Sequence, residues 1–441
     1  MRSFSDPYIG WLAELRQTSF EEEFSMVDFE LVPGVNVHVL ATEQFKQTKL
    51  LLNFSRLQTR NNAAARNLLA NVLTTSSQLY PTQTALARHL AKLYGASVGA
   101  YVTRLGHAHT VRFKATFINE QFAPNLLDAV VQTMGELLFH PLADGTRFDV
   151  PTWQLQKTNL VATLQSWDDD KHFYALRQLE RLYYQTGSVM EVPSTGTKAQ
   201  VAALTNEATY AAYQTMLADD QVDIFVIGAV DPDQVAASLQ KLPFQARPAC
   251  LPANLFHNQP AEPLKKLTEH QPLQQAHLNL AYRQPVYFGT ADYPTALVMN
   301  GLLGGSPYSK LFVNVREKAS LAYSISSSLR PFAGHLVIQA GIAAQQAPAA
   351  QQLIEAQVQA LAAGDFDVAT LAKVKAGLLN QYLASQDDEN YLLGRALAKT
   401  LLQQPTKLDY PAALAAVTPA QVAHLAAQLE PAAVYLLSGD E

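Results

Sequence analysis

One cysteine, Cys250, is present in 441 residues. An intramolecular disulfide is therefore impossible, a thiolate zinc site has too few ligands, and a reducing compartment is expected. Charge is sparse as well: Asp, Glu, Lys and Arg make up 16% of the chain, the net charge is −6, and Lys and Arg form no run. Nucleic acid or anionic lipid would want a basic face, so neither is expected as a partner. No stretch of about 18 apolar residues is present to cross a bilayer. The first 25 residues carry acidic side chains and lack the apolar core of a signal peptide. A cytoplasmic protein is the expectation.

Several catalytic patterns are missing too. Neither H-E-x-x-H nor H-x-x-E-H occurs among the eleven histidines, and G-x-S-x-G is absent. The glycine pair in GGSPYSK, from Gly304, lacks the spacing of a phosphate-binding loop. His107 and His109 are the one close histidine pair. In an extended strand both would face one way and could grip a metal, although a polar hairpin tip beside Gly106 is the favoured reading. His89, in TALARHLAKLYG, reads as an interfacial side chain on a helix.

What is present is ample apolar material, 48% of residues, and a long-range repeat. FDVPTWQLQKTNLVATLQSWDDDKHFYALRQL from Phe148 and FDVATLAKVKAGLLNQYLASQDDENYLLGRAL from Phe366 are identical at 10 of 32 positions without a gap. The flanks match in order. Each copy follows a helix beginning Ala-Pro, at Ala123 and Ala347, with strands before it and a final strand after it, DIFVIGAV or AVYLLSG. A period of 218 residues is a duplicated domain. Residues 1–240 and 273–441 are expected to form the two domains. The proline-rich stretch 241–272 is expected to be an extended linker, since its six prolines exclude a continuous helix or central strand. Hairpin-like runs with little strict βα alternation favour α+β: mostly antiparallel sheets with helices packed on one face. The extension Met1–Phe29 reads as a helix packed on the body.

The segment LLGGSPYSKLFVNVREKASLAYSIS, from Leu302, sets Arg316 late in a helix and Tyr323 early in a strand. With the duplication, this segment resembles the pitrilysin/insulinase (M16) metallopeptidase family, whose domains have the LuxS/MPP-like α+β fold. The resemblance covers the chain from about Val32. It implies a zinc motif, H-x-x-E-H, on a helix of the first domain and a further Glu on a later helix. In NLLANVL, Asn67 and Asn71 stand in place of the two histidines and Ala70 in place of the general-base Glu. In LVATLQSW, Ala162 and Thr163 hold the candidate positions of the later Glu. An amide is a poor zinc ligand and a methyl group takes no proton from water, so no metal or other cofactor is expected in this chain.

The resemblance further implies that Tyr323 steadies an oxyanion and that Arg316 grips substrate carbonyls. Fixed donors suit both tasks. Against this stand local roles. Arg316 could serve the helix dipole or pair with a carboxylate, and Tyr323 could bury its ring and bond a backbone carbonyl. Some family members divide the work between two chains. The resemblance thus implies a non-zinc subunit acting in trans on an H-x-x-E-H sister chain, which would carry the zinc. A catalytically inert scaffold or peptide-binding pseudo-peptidase is the alternative, and a self-dimer is compatible with either. The substrate would be an extended peptide added to a sheet edge. The hairpin SVGAYVTRLGHAHTVRFKATF is the candidate edge, with Gly99 and Ala100 leaving room for a second backbone.

Overall fold

The computed structural model describes residues 26–248, 250–403 and 408–439. Its first half runs β1 (Met26–Val32), β2 (Val35–Ala41), β3 (Gln47–Leu57), α1 (Asn62–Leu73), α2 (Gln83–Lys92), β4 (Ser97–Leu105) and β5 (Ala108–Ile118). It continues with α3 (Leu126–Phe139), α4 (Val150–Asp169), α5 (Lys171–Tyr183), α6 (Lys198–Ala203), α7 (Asn206–Asp219), β6 (Gln221–Gly228) and α8 (Pro232–Leu239). The second half opens with β7 (Lys265–His270), β8 (Ala276–Arg283), α9 (Tyr293–Leu303), a π-helix (Leu311–Lys318), β9 (Ala322–Arg330) and β10 (His335–Ile342). It closes with α10 (Ala347–Ala362), α11 (Val368–Ser385), α12 (Glu389–Leu402), α13 (Tyr410–Ala416), α14 (Pro419–Ala426) and β11 (Glu430–Ser438).

The fold is α+β and duplicated. One sheet has the order β1-β2-β6-β3-β5-β4 and the other β7-β11-β8-β10-β9. Without β1 the two correspond strand for strand in order and pairing sense, including one parallel pair in each, β2 with β6 and β7 with β11. All other pairs are antiparallel. Each sheet therefore ends in an edge strand at the same place, β4 in the first and β9 in the second.

The repeated residues have repeated tasks. Asp149 and Asp367 cap α4 and α11 by accepting from the amides of Thr152 and Thr370. Asp170 and Asp388 cap α5 and α12. Such caps satisfy amides that have no partner inside the helix. Lys157 donates to the carbonyl of Leu204, and Lys375 donates likewise to that of Ala415.

Helices of each half cover one face of its own sheet. The first core joins Leu50, Leu52 and Phe54 of β3 to Leu68 and Leu69 of α1 and Val130 of α3. The opposite face is covered from across the molecule. Leu392, Leu393 and Leu397 of α12 pack on Leu40, Leu51 and Phe225 of the first sheet. Ala175, Leu179 and Tyr183 of α5 pack on Val337, Tyr435 and Leu437 of the second. Leu179 and Leu397 are a repeated pair, so one recurring side chain anchors both crossings. Burial on two faces explains why β3 and β6 are apolar almost without alternation.

Three expectations meet differences. Residues 1–25 lie outside the described residues, and Met26–Phe29 belong to β1 rather than to a helix. The Pro-rich stretch is irregular only to Leu264, because Lys265–His270 pair in parallel with β11. It is also bonded to both halves: Arg247 N–H to the Pro33 carbonyl, the Leu255 carbonyl to His107 N–H, and His257 N–H to the Phe332 carbonyl. Gly106 turns there at φ +56°, and a Cβ would lie 1.8 Å from the Leu255 carbonyl oxygen, so only glycine fits. Finally, α3 starts after Asn125, whose φ of +63° delays the helix past Pro124.

Candidate functional site

The zinc-motif positions lie on α1, which packs against α4, α6, α7, β4 and β5. Asn67 is 8% exposed, and its amide donates to the Thr195 carbonyl at 3.1 Å. Ala70 is wholly buried in the first core, and Asn71 is half-buried. Ala162 and Thr163 are exposed on α4, where the Thr163 carbonyl accepts from Ser166.

A segment from Val192 to Gly196 seals this region. The Val192 carbonyl accepts from Gln58 and Arg104, the Ser194 carbonyl from His109, and the Thr195 carbonyl from Asn67. Gly196, at φ +69°, lies so close to Ala64 that a Cβ would meet its Cα at 2.6 Å. Beneath the segment runs a buried polar chain. Arg66 donates through Nη1 to Asp220 Oδ2 at 2.5 Å and through Nε to His109 Nδ1 at 3.0 Å, while His109 Nε2 donates to Ser194 at 2.7 Å. Both ring nitrogens are thereby occupied. Burial, assisted by the charge of Arg66, pushes the His109 pKa down to about 3, so the ring is neutral and has no proton to trade near pH 7.

These residues do not fit a divalent metal. Two amides and a methyl group offer no anionic or imidazole donor, and one amide is already bonded. Among the described residues no group of three or more His, Cys, Asp or Glu side chains is placed to hold a metal ion. His107 and His109 do not face one way. His107 lies in the turn, its ring edge-on to His257, while His109 points into the polar chain. His89, on α2, bonds Thr133 and stacks on Tyr80.

Arg316 and Tyr323 stand in a different setting. Arg316 lies on the π-helix, a rare form that concentrates at functional sites. The Arg316 side chain is 42% accessible, and among the described residues its one carboxylate neighbour is Glu317, with Oε1 at 3.6 Å. Its guanidinium lies over the Phe312 ring, 4.7 Å from the centroid. The helix ends with wide bonds from Ala319 N–H to the Asn314 carbonyl and from Leu321 N–H to the Val315 carbonyl. Ser320 then takes φ +53°.

Tyr323 is 67% exposed on β9. Ala322 pairs with Ile342 and Ser324 with Gly341, so Tyr323 is the extra residue of a β-bulge. The bulge decides where the phenol points. Ile325 and Ser327 face the core, and strict alternation would send Tyr323 inward with them. The inserted residue slips the phase, so Ala322 takes the buried place and Tyr323 turns out. The π-helix packs on β9 and α10, so it shares no principal packing neighbour with α1. The two regions are separate sites.

The strand bearing Gly99 and Ala100, β4, lies at the sheet edge, hydrogen-bonded among the described residues to β5 alone. Among the described residues nothing lies within 4 Å of a Cβ built on Gly99. Across the sheet at this point Arg112 donates to Asn53 and to the Tyr101 hydroxyl. The sequence reading missed Arg66, Asp220 and Phe312. A lone Arg inside the apolar run AAARNLLA was the available signal for the first, since an apolar helix face admits a charge only with a buried partner.

A family model described as "Peptidase M16 inactive domain" matches residues 203–378. "Probable inactive metalloprotease YmfF" of Bacillus subtilis (strain 168) is 31% identical over 417 residues, covering 92% of this chain and 96% of that protein. Among solved structures, a conserved protein from Enterococcus faecalis V583 superimposes with a TM-score of 0.90 at 35% identity, covering 94% of this chain and 99% of that one. A peptidase M16 inactive domain from Pseudomonas fluorescens superimposes with a TM-score of 0.77 at 18% identity, covering 95% and 99%.

Proposed function

Because this chain belongs to the peptidase M16 family, we propose that it is the non-zinc subunit of a two-chain peptidase. It pairs with a zinc-bearing M16 chain and supplies Arg316 and Tyr323 to that chain's site. There Tyr323 donates to the oxyanion that forms as a peptide carbonyl is attacked, and Arg316 holds neighbouring carbonyls of the substrate. The substrate is an extended peptide, and the open edge at Gly99 and Ala100 receives it through main-chain hydrogen bonds.

One observation carries this reading. The two donors are held outward, with no protein acceptor taking the Tyr323 hydroxyl among the described residues, while the zinc-motif helix is sealed by Asn67, Thr195 and Gly196. Donors fixed where negative charge develops are worth several kcal/mol in a water-poor site, roughly 2.7–4 for one of them. They need a nucleophile made elsewhere.

The test starts from the tagged full-length chain expressed in its own cells. An M16 chain with H-x-x-E-H should co-purify, and the pair should cleave unstructured peptides that neither chain cleaves alone. Loss of cleavage with Tyr323→Phe or Arg316→Ala supports donation in trans. The open β4 edge also suits a peptide-binding scaffold without chemistry. In that case the complex and its peptide affinity persist, and both substitutions leave turnover unchanged.

A further inference from the structure

We propose that Phe312 is the positioning residue of Arg316: its ring fixes the guanidinium plane and leaves the N–H fork free for an acceptor from outside the chain. The inference rests on reading Arg316 as an outward-facing donor, and it adds how an exposed, flexible side chain is kept aimed.

The chemistry of the contact is selective. A carboxylate clamp would consume the in-plane N–H groups that Arg316 needs. A ring beneath the guanidinium meets its face instead, and all five donors stay available in the plane. Glu317 at 3.6 Å is itself exposed and holds Arg316 weakly. Phe312, at 4.7 Å, is well inside the range of a cation–π contact.

Phe312 is in turn held by its helix. Leu311 and Val315, on either side of it, are fully buried in the second core. The Asn314 amide donates to Gln357 Oε1 of α10 at 2.6 Å, which ties the widened turn down. The ring thus has a fixed base while its own face meets the arginine.

Duplication gives an internal control. In the first half the corresponding segment, α2 to β4, is a regular α-helix leading into a strand paired without a register shift. In the second half a π-helix carries Arg316 and a bulge holds Tyr323. The fold is satisfied without either irregularity. The bulge adds one residue to a strand and so flips its faces, and the wide π-type bonds reset the winding that decides which way the helix residues face. The two irregularities therefore aim the side chains, and Phe312 holds the one that aiming alone would leave loose.

The test uses the full chain labelled with 15N-arginine, with Arg316 assigned by the resonance lost in Arg316→Lys. Relaxation of its Nε–Hε group should report an ordered side chain in the wild type. In Phe312→Leu, which keeps apolar bulk and removes the ring, order should fall to that of a free surface arginine. In Phe312→Tyr it should return. Equal order in the wild type and Phe312→Leu overturns the proposal, as does a mobile Arg316 in the wild type. In the two-chain assay Phe312→Leu should lower kcat/KM about two- to fivefold, a contact of this strength converted at tenfold per 1.4 kcal/mol. Phe312→Tyr should match the wild type. If Arg316→Ala leaves the assay unchanged, donation in trans fails, while the relaxation result still decides the role of Phe312.

Discussion

The segments α2 to β4 and π-helix to β9 hold the same place in two copies of one topology; both pass from helix to strand through a residue at positive φ, Tyr94 at +54° and Ser320 at +53°, but they differ in helix type and strand register. The first has a regular helix capped by Thr82 and a strand in continuous register. The second has a π-helix and a bulge within thirteen residues of sequence, Leu311 to Tyr323. Such irregularities are costly, and a fold that closes without them elsewhere does not require them. The contrast extends to the neighbouring sites. On α1 Arg66 and Asn67 turn inward and bond the protein; beside β9 Arg316 and Tyr323 turn outward, although Ser327 of the same strand faces the core and bonds Asn300. The first half holds Arg66 and Asn67 in structural bonds, whereas the second leaves the Arg316 and Tyr323 side chains facing outward.

The comparison breaks most visibly at Arg66. Arg66→Met leaves Asp220 buried with its closest partner removed, at a cost of about 3–5 kcal/mol. Denaturant unfolding should show that loss, while folded variant chain in the two-chain assay keeps its turnover. A large loss of turnover at unchanged stability would place function in the first half after all.

Tyr323→Phe should do the reverse. Stability should stay within about 0.5 kcal/mol, as for an exposed side chain. Peptide cleavage by the pair should fall by about a hundredfold or more in kcat, the loss typical of one oxyanion donor. A variant that unfolds and keeps its activity would reverse the assignment.

The smallest effect sharpens the picture at the far edge of the first sheet. His38 joins β2 to β1 and β6 through Asp28 at 2.7 Å and Asp223 at 3.5 Å. Burial pulls its pKa down, but the bonds to Asp223 and Asp28 outweigh this and leave it raised. A raised histidine pKa gives stability that is complete below its unfolded value of about 6.5 and is lost as pH rises through the folded one. Thermal unfolding followed upward from pH 6 should therefore show the wild type losing its margin over His38→Gln. His109, with its lowered pKa, acts oppositely, losing stability as pH falls below about 6.5, and cancels in that difference. A margin that grows with pH would contradict the clasp.

Much of this was legible in the chain itself. The repeated Asp149 and Asp367, with Thr152 and Thr370, are helix caps, so their recurrence marked equivalent helix starts. Apolar runs such as LLLNF and IFVIG marked strands. These readings succeed because they depend on residue chemistry and short spacing. Others could not. That Lys265–His270 form a strand depends on β11, some 170 residues away, because six residues pair only where a partner exists.

The sequence by itself determined the duplication, the α+β class and the presence of two hydrogen-bond donors seven residues apart, Arg316 and Tyr323. Only the tertiary structure decided which way those donors point, since an inserted residue is visible in pairing and not in composition. It also decided that each half lends a helix to the other's sheet. Apolar faces on α5 and α12 announce that something must be covered, but only the assembled chain selects which surface they cover.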